Sequence, residues 1–226
     1  MIARLAQHVK GHLRNDGPVL ARRLTQLYAG LVLYGVSGSF ILLAGLGNDP
    51  WDVLHQGLSR QTGIGTGLWV DIMGALVLLA WIPLRQRPGL GTISNVVVIG
   101  LVVEAMLAAF GPAHGLGLRI PLLLIGVVLN GMATGLYIGA RFGPGPRDGL
   151  MTGIAARGHS LRAVRTGLEV TVLVLGALLG GTVGIGTLVY ALAIGPLAHV
   201  FVPAFAMDID SAEAAEVAPA PAPAPA

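Results

Sequence analysis

Six apolar segments, at residues 24–46, 66–84, 91–110, 118–140, 162–182 and 185–205, each approach the ~20 residues that a helix needs to cross a bilayer. A chain inside hydrocarbon has to satisfy its backbone hydrogen bonds internally, so such segments fold as helices. Hydrophobic residues make up 54% of the 226 residues and charged residues only 11%, against ~25% charged in soluble domains. The expected fold is therefore all-α: a polytopic membrane protein of six transmembrane helices. The lipid bilayer is its first partner. A net charge of +3 does not point to nucleic acid, because the basic residues fall singly between apolar runs rather than in a continuous patch. Cysteine is absent, which removes disulfides, zinc–thiolate sites and thiol catalysis from this chain.

The flanks set the orientation. Residues 1–23 carry Arg4, Lys10, Arg14, Arg22 and Arg23 and read as a basic cytoplasmic arm, partly helical. A cleaved signal peptide is the rival for the first span, but its apolar run is too long and belongs to a repeat. Residues 206–226 end in "AEVAPAPAPAPA", a disordered Ala/Pro-rich cytoplasmic tail on composition. With the N-terminus inside, 12 of the 14 Lys and Arg fall on cytoplasmic segments, leaving only Arg60 and Arg119 outside. Cytoplasmic loops are enriched in these residues, so a multi-pass protein of the bacterial cell membrane with both termini in the cytoplasm is expected.

A repeat divides the chain into 24–110 and 118–205. At a separation of 96 residues Gly30 pairs with Gly126, Pro50 with Pro146, Asp52 with Asp148 and Gly57 with Gly153. At 95, "GLGT" (Gly89, Gly91, Thr92) pairs with "GIGT" (Gly184, Gly186, Thr187). Each half contains three spans, and an odd number of crossings sends the second half into the membrane from the opposite side. Two inverted three-helix repeats, each with a short polar half-helix, are expected, a design that recurs among secondary transporters.

The half-helices are "PWDVLHQGL" and "PRDGLMTGI". Pro at the first helical position lacks only an N–H that would be unpaired anyway, and Asp two residues on sits beside the positive end of the helix dipole. Asp49 and Gly145 are the corresponding cap positions. A helix over 50–60 rises roughly 16 Å and cannot span. Trp51 suits an interfacial anchor. For Asp52 and Asp148 two readings stand: a helix-terminal charge, or a site for a proton, a cation or a cationic substrate. His55, on the same face as Asp52, is either solvated or a proton relay.

The Gly-Thr turns open the third and sixth spans; Gly91 and Gly186 permit close approach, while Thr92 and Thr187 either cap a helix or help hold an anion. Glu104 and His199 are counterparts at a separation of 95, either a proton-coupled pair or mutually neutralising groups, since each is costly inside a membrane. Asp71 and Glu169 are approximate counterparts, and Glu169 has Arg165 one turn before it for a local ion pair. Asn95, Asn130, Gly30, Gly126 and Gly131 suit interhelical packing, and the glycine faces would also serve a homodimer.

The chain has no zinc-spaced His cluster, no phosphate loop and no Gly-x-Ser-x-Gly elbow, so no enzyme activity, metal or cofactor is expected. The stretches "GNDPWDVLHQGLS", "GLGT", "GPGPRDGLMTGI" and "GIGT" resemble the bacterial YczE/YyaS/YitT group of integral membrane proteins over residues 24–205. That resemblance implies a polytopic cytoplasmic-membrane protein and no agreed substrate. In the second half Arg147 stands where the first has Trp51. The leading expectation is a small-solute transporter or exporter in which the two short Pro-x-Asp segments, with Asp52 and Asp148, and the Gly-Thr turns line a central pathway between the repeats for a solute or a proton. The alternative is a non-transporting scaffold or regulator that binds a cytoplasmic partner.

Overall fold

The computed structural model describes residues 2–207, with side chains at 17 and from 19 onward. The described residues form eight helices and no strand: α1 (Ile2–Ala44), α2 (Pro50–Thr62), α3 (Thr66–Leu84), α4 (Leu90–Ala109), α5 (Leu116–Gly139), α6 (Pro146–Ala155), α7 (Leu161–Leu178) and α8 (Ile185–Phe205). The Pro/Ala tail expected over 206–226 lies, except for its first two residues, outside the described residues. The basic arm is continuous with the first span in one helix of 43 residues.

Five segments are long and apolar enough to cross a membrane: Val19–Ala44, α3, α4, α5 and α8. Large apolar side chains stand exposed along them, among them Leu79, Ile82, Leu101, Leu192 and Val200. A helix apolar on its outer face needs lipid there. The expected sixth span is α7, and its 18 residues include Arg162, Arg165 and Glu169, which keep it out of that group.

α1 and α5 form the centre and run antiparallel. Gly30 of α1 meets Leu136 and Tyr137 near the end of α5, and Gly126 of α5 meets Ser37 and Ile41 near the end of α1. Arginines tie the two helices at both ends. Arg23 donates to the carbonyl oxygens of Ala140 and Arg141 at the C-terminus of α5; Arg119, 96 residues on, donates to those of Ala44 and Gly45 at the C-terminus of α1. Each guanidinium thereby satisfies helix-end carbonyls that have no intrahelical donor. α4 lies parallel to α1, with Tyr28 meeting Ser94 and Gly35 meeting Ile99 and Val102. α8 lies likewise along α5, with Gly131 on Leu197 and Gly135 on Phe201.

The loops interlock in the same paired way. Gly91 N–H donates to Phe142 O at 2.9 Å, and Gly186 N–H to Leu46 O at 2.8 Å. Gly47 and Gly143 have φ of 119° and 114°, where a side chain is strained, and a Cβ on either would also lie 2.8 Å from the hydroxyl of Thr187 or Thr92 respectively. Thr92 Oγ1 accepts from Gly89 N–H at 3.2 Å and donates to Pro144 O at 2.7 Å; Thr187 Oγ1 accepts from Gly184 N–H at 3.3 Å. Both threonines therefore cap helices; Thr92 also fastens a loop of the opposite half and Thr187 packs against Gly47 of the other, which accounts for their burial.

Candidate functional site

The two short helices are built locally by their first residues. Asp49 is the N-cap of α2, its Oδ1 accepting from the N–H groups of Trp51 at 2.9 Å and Asp52 at 3.2 Å, and Pro50 follows it at the first helical position. Pro146 plays the same part in α6, but the cap there is Gly145, which has no side chain to accept those bonds. Each helix is then seated on the other half. Gly57 of α2 packs against Gly176 and Leu179 at the end of α7, and Gly153 of α6 packs against Leu84 and Gln86 at the end of α3. Gln56 Oε1 accepts from Thr182 N–H at 2.7 Å, while Trp81 Nε1 of α3 donates to Pro146 O at 3.0 Å.

The N-termini of both short helices turn inward. A Cβ on Gly38, well before the end of α1, would lie 3.6 Å from Asp52 Oδ2, so the chain dips back from Ala44 before α2 climbs out again. Asp52 and His55 are both buried, and His55 Nδ1 lies 3.1 Å from Asp52 Oδ1. From α6, Arg147 reaches Asp49 at 3.5 Å and lies over the ring of Trp51 at 5.0 Å. The tryptophan and the arginine that occupy equivalent positions in the repeat therefore touch each other. Trp51 is 5% exposed and packs with Leu54, Val77, Trp81 and Val172, which corrects its expected place as an interfacial anchor. Asp148 accepts a hydrogen bond from Tyr137 Oη at 3.1 Å.

These groups, except Asp52, which lies behind His55 and does not line it, face one cavity of about 500 Å³. Asp49, Trp51 and His55 reach it from α2 and its cap, and Arg147 and Asp148 from α6. Tyr34, Asn95 and Tyr190 come from the long helices, and Arg165 and Glu169 from α7. The last two form the expected (i, i+4) ion pair at 3.0 Å. Asn130, expected to pack, ties three helices: its Nδ2 donates to Ser37 Oγ at 3.0 Å and its Oδ1 accepts from Tyr190 Oη at 3.0 Å.

Other candidates fall away from the cavity. Glu104 Oε2 accepts from Gly67 N–H at 2.9 Å, in the first turn of α3, where a carboxylate is favoured by unpaired N–H groups and by the dipole. His199 is exposed and forms no ion pair with Glu104 among the described residues. The reason is direction: α4 runs with α1 and α8 with the antiparallel α5, so residues equally far along α4 and α8 lie toward opposite ends of the bundle. Thr92, Thr187, Gly91 and Gly186 serve the loop contacts above. The residue that sequence reasoning undervalued is Asp49, treated only as a cap; the charge of Arg147 at the equivalent of Trp51 was the available sign that a carboxylate would meet it.

Residues 21–203 match a protein family described as a family of unknown function, DUF6198. The chain is 41% identical over 181 residues to an uncharacterised protein of Haemophilus influenzae, covering 80% of this chain and 83% of that protein. It is 35% identical over 191 residues to the uncharacterised membrane protein YczE of Bacillus subtilis (81% of this chain, 87% of YczE). Similarity to the uncharacterised protein YyaS of the same organism is 30% over 181 residues, with coverages of 77% and 89%. No solved structure matches the chain.

Proposed function

The chain belongs to DUF6198 and is similar to an uncharacterised membrane protein, and from that premise we propose that it is a small-solute transporter whose pathway runs between α2 and α6. One observation carries the reading: two helices too short to span bring their N-termini, with Asp49, Arg147 and Asp148, to a common cavity inside a bundle of apolar helices. Broken or partial helices meeting away from water are how many transporters present backbone dipoles and charges to a solute.

In this reading α7 is the sixth span. Its exposed Val170, Val174, Leu175 and Leu178 face lipid, while Arg165 and Glu169 turn to the cavity. The two halves are inverted repeats, supported by the antiparallel α1 and α5 and by the arginine clamps at equivalent positions. Both termini lie in the cytoplasm, on the distribution of Lys and Arg. Single cysteines in place of Leu58 and Ile154, in a chain that has none, are expected to be labelled by an impermeant maleimide from opposite sides of the membrane. Labelling from one side only is incompatible with the inversion.

Transport is tested by reconstitution in liposomes with a screen of solute and proton flux. For a transported solute, Asp148→Asn and Asp52→Asn are expected to cut the flux about tenfold or more, a loss of roughly 1.4 kcal/mol or greater, while the variants elute as folded protein. No flux for any solute, together with a specific co-purifying cytoplasmic protein, would replace transport by the scaffold role.

A further inference from the structure

Resting on the transport reading, we propose that the cavity takes a small organic cation, an ammonium carrying an apolar body, whose charge is received by Asp148. The charges that line the cavity are nearly all matched internally. Asp49 faces Arg147 at 3.5 Å, and Glu169 faces Arg165 at 3.0 Å. Asp148 is the exception: its neighbour is the Tyr137 hydroxyl at 3.1 Å, and no cationic side chain lies within ion-pair distance of it among the described residues. A half-buried carboxylate that lines a cavity without an ion-pair partner is free to receive a cation, and a bound cation offsets the cost of its partial desolvation.

The walls suit an organic cation better than a bare ion. Trp51 already accepts a cation, the Arg147 guanidinium, on its ring face, and the rings of Tyr34 and Tyr137 meet edge to face at 6.1 Å beside the same cavity. Aromatic faces attract ammonium and guanidinium groups. Met73, Val77, Ile99 and Met151 supply apolar lining, and about 500 Å³ is the volume of a small-molecule pocket rather than of an ion site. An anion meets the opposite situation, because Arg147 is engaged by Asp49 and Trp51 and the surplus charge is negative.

Three probes of nearly equal shape isolate charge: 2-phenylethylamine (protonated at neutral pH), 2-phenylethanol and 3-phenylpropionate. Their binding to the full chain in detergent is followed by calorimetry, which needs no transport. The amine is expected to bind saturably and the alcohol and acid not. Asp148→Asn is expected to weaken the amine about thirtyfold or more, as for truncation of one partner of a buried charge pair, and Asp148→Glu to restore much of it. Should Asp148→Asn fail to fold, the three-probe comparison on the unmodified chain decides alone. Equal binding of all probes, preference for the acid, unchanged amine affinity in folded Asp148→Asn, or saturation by sodium ion with no amine binding would each overturn the proposal. Amine binding without flux would refute transport and leave the cation site standing; flux of some other solute without amine binding would do the reverse.

Discussion

Arg147→Met is expected to destabilise the folded protein by about 2–4 kcal/mol, near the lower end of the 3–5 typical for breaking a buried ion pair. The discount reflects the 27% exposure of the Arg147 side chain, against 7% for Asp49. Removing the guanidinium leaves the buried Asp49 carboxyl without its cation, whether it stays charged or takes up a proton, while it still has to cap α2. The ring face of Trp51 loses its cation as well. Methionine keeps the apolar stem and much of the volume, so the loss reads charge rather than packing. The double variant Arg147→Met/Asp49→Asn should recover most of it, because Asn caps a helix nearly as well as Asp and carries no charge to strand. Thermal unfolding of the four proteins in detergent gives the coupling directly. Additive single effects would mean that the 3.5 Å contact contributes nothing.

Gly176→Ala is expected to cost about 2–3 kcal/mol, in the range of overpacked cores. A Cβ at this position would lie 2.5 Å from Leu54 N and 2.6 Å from Leu54 Cα and Val53 C. These are backbone atoms of α2, so no side chain can rotate away and the whole short helix has to shift off α7. Gly167 lies in the same helix with nothing within 4 Å of its would-be Cβ, and Gly167→Ala should instead stabilise by about 0.5–1 kcal/mol through helix propensity. Opposite signs for one substitution at two sites of one helix identify the docking of α2. Equal shifts in thermal midpoint would show that α2 does not rest on α7.

Much of the fold was legible because it depends on length and local chemistry. Five long apolar helices match the expected segments to within about five residues at each end, since lipid admits few other solutions. Both short helices begin at their prolines, where the ring and the following Asp define a helix start. The (i, i+4) pair of Arg165 and Glu169 followed from spacing alone. Glu104 was misjudged for a physical reason: its cost inside an apolar segment demanded a partner, but the first turn of another helix is as good a partner as a histidine. The pairing of positions also misled at His199, because equivalent residues on antiparallel helices are carried apart unless they lie near the axis that relates them.

By itself the amino-acid order determined that this chain folds into long apolar helices suited to a membrane, and where two short helices begin, because apolar length and proline act within a single segment. Only the tertiary structure decided that Arg147 meets Asp49 and Trp51 from the other half, and that Asp148 faces the cavity with no ion-pair partner among the described residues. Partners about 96 residues apart become neighbours through helix direction and the close approach of backbones, and neither is written in the local pattern of any one segment.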